Sequence, residues 1–228
     1  MNKKDFLKKI EVELKISKNS QYTLRNYIKA NKEFLDFTNK KPDEINKDDV
    51  KEFMSEKLSE MSTSSVIVFL SALRYAYLTI LSKDPTDTIK RPKKENRLPS
   101  VLTKKEIQIL LNSTKNKKSK LMLSLMYACG FRVSELTNLK VSDMDFQEKI
   151  GHVRQGKGRK DRIFNIPGFL LKNLQKQVKM QQEAGKEHLF TGPKGALTPR
   201  NLQKIVQKAV KKSGINKPVH VHTLRHSF

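Results

Sequence analysis

The chain has 228 residues, of which 36% are apolar and 31% charged, and its 47 Lys and Arg residues outnumber 23 Asp and Glu residues, for a net charge of +24. This length and apolar content suit one or two ordinary hydrophobic cores, with two domains expected, and exclude wholesale disorder. A single cysteine, Cys129, excludes an intramolecular disulfide. We expect neither a signal peptide nor a membrane-spanning apolar run, and therefore a cytoplasmic protein without a membrane partner.

The positive charge is unevenly distributed. Residues 1–100 carry 21 basic and 15 acidic side chains, whereas residues 101–228 carry 26 and 8. Such an excess favours a polyanion, which is bound with release of its counterions. Ribosomal and membrane-surface proteins share this balance, so the charge alone indicates a nucleic-acid partner without proving one.

Residues 1–82 have apolar side chains at helical spacing and few glycines, which predicts a small domain of four helices. Taken singly, these residues indicate an ordinary bundle with solvated lysines, and only the domain as a whole suggests DNA binding. The apolar faces are Phe6, Ile10 and Leu14; Leu24, Tyr27, Ile28, Phe34, Leu35 and Phe37; Val50, Phe53, Met54 and Leu58; and Val66, Phe69, Leu70, Leu73, Ala76, Tyr77 and Ile80.

Residues 83–102 contain three prolines and six basic side chains, which predicts a linker between two domains. Each proline disfavours helix in the residue before it, so we expect an extended chain. Its charges either follow a phosphate backbone or are simply solvated.

The second domain, residues 103–228, is predicted to begin with a capping box formed by Thr103 and Glu106. A helix over 121–128 should end near Gly130, which places Arg132 between two helices, where its side chain can face a ligand. The plainer interpretation of Arg132 is an ion pair with Glu135 on a helix surface.

A polar loop over 156–161 lies between two strand-like segments, which predicts a β-hairpin. The loop and its edge carry four basic residues that we expect to reach outward and contact DNA, unless they form an ordinary solvated turn. They do not have the spacing of a nucleotide-binding Walker motif. These residues are Lys157, Arg159, Lys160 and Arg162.

Thr198 followed by Pro199 predicts the start of another helix, with a cap and a first-turn proline in order. Its apolar face points to the core, while its basic face, with Arg200 and Lys204, either enters a major groove or is solvated.

His222 and His226 are spaced i, i+4, as two zinc ligands on one helix are. No acidic residue or cysteine supplies a convincing third ligand, and Arg225 would be a poor neighbour for a cation. We therefore predict no metal site, a buried structural role for His226, and a phosphate-binding role for His222 and Arg225.

Taken in order, these motifs resemble those of the tyrosine recombinases, the phage integrase family that includes the Xer proteins. The resemblance covers essentially the whole chain. It is carried by the helical first domain, the Pro/Lys-rich linker, and the segments Gly-Phe-Arg132-Val-Ser-Glu-Leu, Gly-Lys157-Gly-x-Lys-x-Arg and His222-x-Leu-Arg225-His226-Ser-Phe.

The resemblance implies a mainly α-helical protein with a four-helix, SAM-like core-binding domain and an α-rich catalytic domain with a small antiparallel β-sheet. The two would form a C-shaped clamp around double-stranded DNA. It also implies a homo-tetramer on two recombination sites and a role in DNA integration or chromosome partition, without a cofactor, in the cytoplasm at the nucleoid.

The resemblance further assigns roles to residues. Arg132 and Arg225 would hold the scissile phosphate with a contact from His222, and Lys157 would protonate the departing 5′ oxygen. Glu135 would support Arg132, and His226 would have a supporting role.

The family's nucleophilic tyrosine follows these motifs, and no tyrosine has that place here. All the tyrosines, Tyr22, Tyr27, Tyr75, Tyr77 and Tyr127, precede Arg132. We therefore expect this chain to bind DNA without cleaving it alone, as part of a recombinase that works through a 3′-phosphotyrosyl intermediate. The alternative is a non-catalytic, sequence-specific DNA-binding protein derived from a recombinase.

Overall fold

The computed structural model describes residues 1–93, 98–154, 161–192 and 195–228. The chain divides into two compact units, Met1–Arg97 and Leu98–Phe228. Both are mostly helical, and the second also contains short antiparallel strands. The predicted fold class is thereby confirmed.

In the first unit, each of the four predicted apolar faces forms one helix. The helices are α1 (Lys3–Ile16), α2 (Gln21–Thr38), α3 (Lys47–Glu60) and α4 (Thr63–Leu81). Each begins at a residue whose side chain accepts a first-turn backbone N–H, which satisfies a donor that has no partner within the helix. These caps are Asn2, Ser20, Asn46 and Ser62.

The core of the first unit is built largely from aromatic rings. Phe6, Phe34, Phe53 and Tyr77 are fully buried. The rings of Phe6 and Tyr77, and those of Phe34 and Phe53, have centroids 5.1 Å apart in tilted geometry, an arrangement that aromatic pairs favour.

One helix, α4, is long and apolar enough to cross a membrane, contrary to the expectation that no such run exists. Its apolar composition has a simpler cause, because Val66, Leu73, Ala76 and Tyr77 are completely buried in the core of the first unit. The core helix of a small bundle must be apolar on the side that its neighbours cover.

The extended linker expected over 83–102 is shorter than predicted at both ends. Thr86 is fully buried, and its hydroxyl accepts a hydrogen bond from Arg74 Nε at 2.9 Å. Lys83 Nζ donates to the carbonyl of Ile45 at 2.5 Å. Residues 84–87 therefore turn back onto the first unit, whereas Leu102 is buried in the core of the second.

The second unit is a helical core flanked by a small sheet. Its helices are α5 (Lys104–Ser113), α6 (Lys117–Ala128), α7 (Val133–Asn138), α8 (Gly168–Glu183), α9 (Pro199–Ser213) and α10 (Val221–His226). Its strands are β1 (Met144–Asp145), β2 (Ile150–Val153), β3 (Arg162–Asn165), β4 (Thr191–Gly192) and β5 (Gly195–Ala196). The predicted capping box of α5 is formed, and α9 begins as predicted, with Thr198 as its cap and Pro199 in its first turn.

The strands β1, β2 and β3 form an antiparallel sheet in that order. Gly151 of β2 lies opposite Phe164 of β3, and Val153 lies opposite Arg162. A Cβ added at Gly151 would lie 2.2 Å from the Phe164 ring. Glycine is required here because the ring lies directly over the backbone of the neighbouring strand.

Candidate phosphate-binding site

The centre of the candidate site is the carboxylate of Glu135, whose side chain is 1% exposed. Arg132 is the residue before the first turn of α7, and Glu135 reaches back from that turn to accept the Arg132 backbone N–H at 2.9 Å. This capping geometry determines where the carboxylate lies, because it ties Glu135 to the start of its own helix.

Three guanidinium groups surround this single carboxylate. Arg132 Nη1 lies 2.6 Å from Glu135 Oε1, and Arg162 Nη2 lies 2.8 Å from Oε2. Arg225 Nη1 lies 3.7 Å from Oε2. The three side chains remain about one-third exposed, so the cluster has two more positive charges than negative ones and is open to solvent.

The electrostatics of the cluster follow from burial and from these contacts. Burial by itself would raise the pKa of Glu135, but hydrogen bonds from Arg162 and from the backbone and side chain of Arg132 outweigh it and hold that pKa below its usual range. Burial, the charge of Arg132 and that of Arg162 lower the pKa of Arg225, although Glu135 opposes them. The three partly buried guanidinium groups repel one another, and one carboxylate does not balance their charge. Binding of an anion beside them is therefore favoured.

Arg225 reaches the cluster from α10 because its guanidinium donates a hydrogen bond to the carbonyl of Gly130. Gly130 follows α6 with φ of +56°, in the left-handed region that glycine adopts readily. The predicted end of α6 near Gly130 therefore does more than stop the helix. It also turns the carbonyl of Gly130 toward Arg225, which donates to it.

Arg162 does not reach outward as an edge residue of the hairpin, so its expected orientation is wrong, while its suggested contact with DNA stays a prediction. Its guanidinium carbon lies 5.2 Å from the centroid of the Phe131 ring. Phe131 in turn packs edge-on against Phe164, with ring centroids 4.7 Å apart. The aromatic pair and the Glu135 carboxylate together draw Arg162 into the cluster, because both interact favourably with a guanidinium.

The plainer interpretation of Arg132, an ion pair with Glu135, describes a real contact but misses its setting. The pair is not on a solvated helix surface, because Glu135 is buried and is shared with two further arginines. Sequence reasoning also overlooked Phe131, Gly151 and Phe164 as residues that shape the site. A glycine inside a strand was the one signal available for Gly151.

The hairpin residues Lys157, Arg159 and Lys160 lie outside the described residues. The strands on either side of them, β2 and β3, pair as predicted. Their suggested contacts with DNA remain predictions.

His222 and His226 lie on the exposed side of α10 and line a cleft of about 550 Å³ with Gln203 and Gln207 of α9. The expectation that His226 is buried is wrong, because the helix turns Val221 and Leu224 into the core instead. No hydrogen bond joins His222 to the arginines within the described ranges. Across those same ranges, no group of three potential ligands could hold a metal ion.

The basic face of α9 is solvent-exposed. Arg200 and Lys204 are exposed, whereas Leu202 and Val206 on the opposite face are buried. Neither basic residue forms a hydrogen bond or an ion pair within the described part of the chain. The helix therefore presents both cations to solvent, and their role stays a prediction.

Comparison with known proteins confirms the resemblance. The model of the phage integrase family matches residues 100–228, and that of the phage integrase N-terminal SAM-like domain matches residues 6–87. A tyrosine recombinase of Thermosipho africanus is 31% identical over 228 residues, covering 93% of this chain and 80% of that protein. One from Pseudothermotoga lettingae is 37% identical over 181 residues, covering 77% of this chain and 63% of that protein.

Among solved structures, a lambda integrase tetramer bound to a Holliday junction matches with a TM-score of 0.80 at 20% identity. The match covers 100% of this chain and 71% of that one, and at this identity it shows a shared fold. The family models and the two similar tyrosine recombinases show that the chain belongs to the phage integrase family of tyrosine recombinases.

Proposed function

We propose that this chain binds double-stranded DNA and holds one backbone phosphate between Arg132 and Arg225, as a component of site-specific recombination. The observation that carries this proposal is the excess of charge at Glu135, where three guanidinium groups share one carboxylate. Arginine offers a permanent, planar donor set that matches phosphate oxygens.

Cations fixed in this way are suited to strand cleavage. They stabilise the negative charge that develops on the phosphate oxygens during an in-line displacement. In the proposed reaction Lys157 protonates the departing 5′ oxygen, His222 contacts the phosphate and His226 supports it. Glu135 keeps Arg132 in place. A tyrosine forms a 3′-phosphotyrosyl ester, and that covalent bond lets strands exchange without ATP.

The proposed DNA surface extends beyond the phosphate site. Arg200 and Lys204 on the exposed face of α9 would contact the duplex, as would Arg159 and Lys160 of the hairpin. The lambda integrase of similar fold was solved as a tetramer on a Holliday junction. We propose the same kind of assembly here, with the two domains, 1–82 and 103–228, clamping the DNA and four copies joining two sites in the cytoplasm at the nucleoid.

The nucleophile is the part of this reaction that these residues do not supply. All tyrosines in the sequence precede Arg132, and Tyr77 is fully buried in the first unit. We propose that residues 1–228 alone bind DNA without cleaving it. The order of the tyrosines equally favours the alternative of a non-catalytic, sequence-specific DNA-binding protein derived from a recombinase.

The test begins with selection of bound duplexes from a random library, because the target sequence is unknown. Each phosphate of the selected duplex is then replaced in turn by a neutral methylphosphonate, and the dissociation constant is measured. One phosphate per half-site is expected to matter most, with a loss of about tenfold or more, as for a charge-assisted hydrogen bond.

The variants Arg132→Ala and Arg225→Ala should bind the duplex with a phosphate at the sensitive position and the duplex with a methylphosphonate there almost equally well. Lys204→Ala is the matched control, and it should weaken binding to both while lowering the salt dependence by roughly one released ion. Thermal unfolding checks that each variant is folded. If all phosphates of the wild-type complex matter equally, the chain is a general basic binder and the proposal fails.

A further inference from the structure

Arg162 is the residue of the cluster with no role in the chemistry described above. It enters from β3, and its Nη2 donates both to Glu135 Oε2 at 2.8 Å and to the carbonyl of Cys129 at 3.5 Å. Its side chain is about two-thirds buried, so it offers less surface to a ligand than a free arginine would. Both contacts hold the guanidinium inward, against the Glu135 carboxylate and the Cys129 carbonyl.

The two oxygens of Glu135 are occupied unequally. Oε1 accepts from Arg132 Nη1 at 2.6 Å, while Oε2 accepts from the Arg132 backbone at 2.9 Å and from Arg162 at 2.8 Å. A carboxylate oxygen has two lone pairs, so both acceptor positions of Oε2 are taken. Arg225 Nη1, at 3.7 Å, is left outside hydrogen-bond range.

Arg162 is held where it can fill that position. The Phe131 ring lies against its guanidinium, Phe164 packs edge-on against Phe131, and Phe164 in turn covers the backbone of Gly151. A planar side chain packed on a ring has lost most of its freedom in the free protein, so it forms the ion pair at little further entropic cost.

We infer that Arg162 is a positioning residue, which fills the second acceptor position of Glu135 Oε2, the oxygen nearest Arg225, so that the guanidinium of Arg225 remains available to a phosphate. This inference rests on the proposed function. Without Arg162, Oε2 has an open acceptor position 3.7 Å from Arg225 Nη1, and Arg225 pairs with the carboxylate instead. The net positive charge of the cluster then falls from two to one. The Arg225 guanidinium, which would bind the phosphate, is instead occupied by Glu135.

Two substitutions of similar length separate this role from simple packing. Arg162→Met keeps an apolar stem over Phe131 but has no donor for Glu135, whereas Arg162→Lys keeps both a stem and a donor. Arg154→Met is the matched control, since Arg154 precedes the same loop and its Nε lies 3.0 Å from Asp143, a carboxylate with a 3% exposed side chain. It removes the same charge without touching Glu135.

The readout is the ratio of the dissociation constants for the selected duplex with a methylphosphonate and with a phosphate at the sensitive position. Arg162→Met should lower the ratio from about ten in the wild type to nearly one, the same drop that is expected of Arg225→Ala. Arg162→Lys should recover most of it, and Arg154→Met should leave it unchanged. Adding Arg225→Ala to Arg162→Met should cause no further drop.

The inference is overturned if the Met and Lys variants of Arg162 give the same ratio, or if Arg154→Met lowers the ratio as much as Arg162→Met. A wild-type ratio near one would instead refute the proposed function, whatever Arg162 does. Should the Met variant not fold, Phe131→Leu removes the supporting ring and keeps every charge. It should lower the ratio about twofold to fivefold, and an unchanged ratio then overturns the inference.

Discussion

The two units treat a buried carboxylate in opposite ways. In the first, Asp49 accepts the backbone N–H of Asn46 at 3.0 Å and pairs with one lysine, Lys40, at 2.7 Å. In the second, Glu135 makes the same kind of backbone contact but is shared by three arginines. One cation for one carboxylate stabilises a helix start, whereas the surplus at Glu135 leaves positive charge available for an added anion.

The aromatic side chains differ in the same sense. Those of the first unit, such as Phe34 and Phe53, pack on one another in the interior. In the second unit the pair Phe131 and Phe164 packs against the guanidinium of Arg162. In the second unit, therefore, aromatic side chains of the hydrophobic core hold a charged side chain of the candidate site in position.

Removal of the Glu135 charge should have the largest effect on stability. Glu135→Gln leaves three guanidinium groups without a counter-charge, and breaking a buried pair on one side costs about 3 kcal/mol. Asp49→Asn should cost about 1 kcal/mol, because only one cation loses its partner and the cap remains. Urea unfolding measures both, and equal losses would contradict the distinction between the two carboxylates.

The same variant gives a pH dependence with a definite sign. The pKa of Glu135 in the folded protein lies below its ordinary value of 4.5, so its charge stabilises the fold fully above that value. The difference in unfolding free energy between wild type and Glu135→Gln should be complete above pH of about 5 and shrink as the pH falls through the lowered pKa. Urea unfolding over a pH series would contradict this if the difference grew in acid.

Disturbance of the aromatic support should have an intermediate effect. Gly151→Ala places a methyl group within 3.0 Å of the Phe164 ring, and accommodating it should cost about 1–3 kcal/mol. Gly168→Ala is the control, because nothing lies within 4 Å of the added carbon and α8 should gain a few tenths of a kcal/mol. Thermal unfolding distinguishes them, and equal melting temperatures would show that Phe164 moves freely.

The smallest effect is expected in the first unit. Tyr77 is fully buried, and its hydroxyl has no hydrogen-bond partner in the described part of the chain. Burial also raises the pKa of Tyr77 far above its usual value. Tyr77→Phe removes an unsatisfied polar group and should stabilise the protein by up to about 1 kcal/mol. A loss of stability in urea would reveal a partner for the hydroxyl.

Local patterns allowed much of the fold and part of the site to be predicted. Apolar spacing identified the helices of the first unit, and cap residues such as Thr103 and Thr198 marked helix starts correctly. These predictions succeed because helix periodicity and capping depend on residues at most four positions apart. The turn at residues 84–87 was missed because Thr86 is fixed by Arg74, twelve positions away.

By itself, the sequence determined the family, the helices, and the placement of Glu135 beside Arg132, all of which follow from local order along the chain. Only the tertiary structure decided that Arg162 and Arg225 share this carboxylate and that His226 faces solvent. The physical reason is that Arg132, Arg162 and Arg225 lie far apart in the chain. Packing of α6, α7, β3 and α10 brings them together, and it sets how many cations one buried carboxylate must serve.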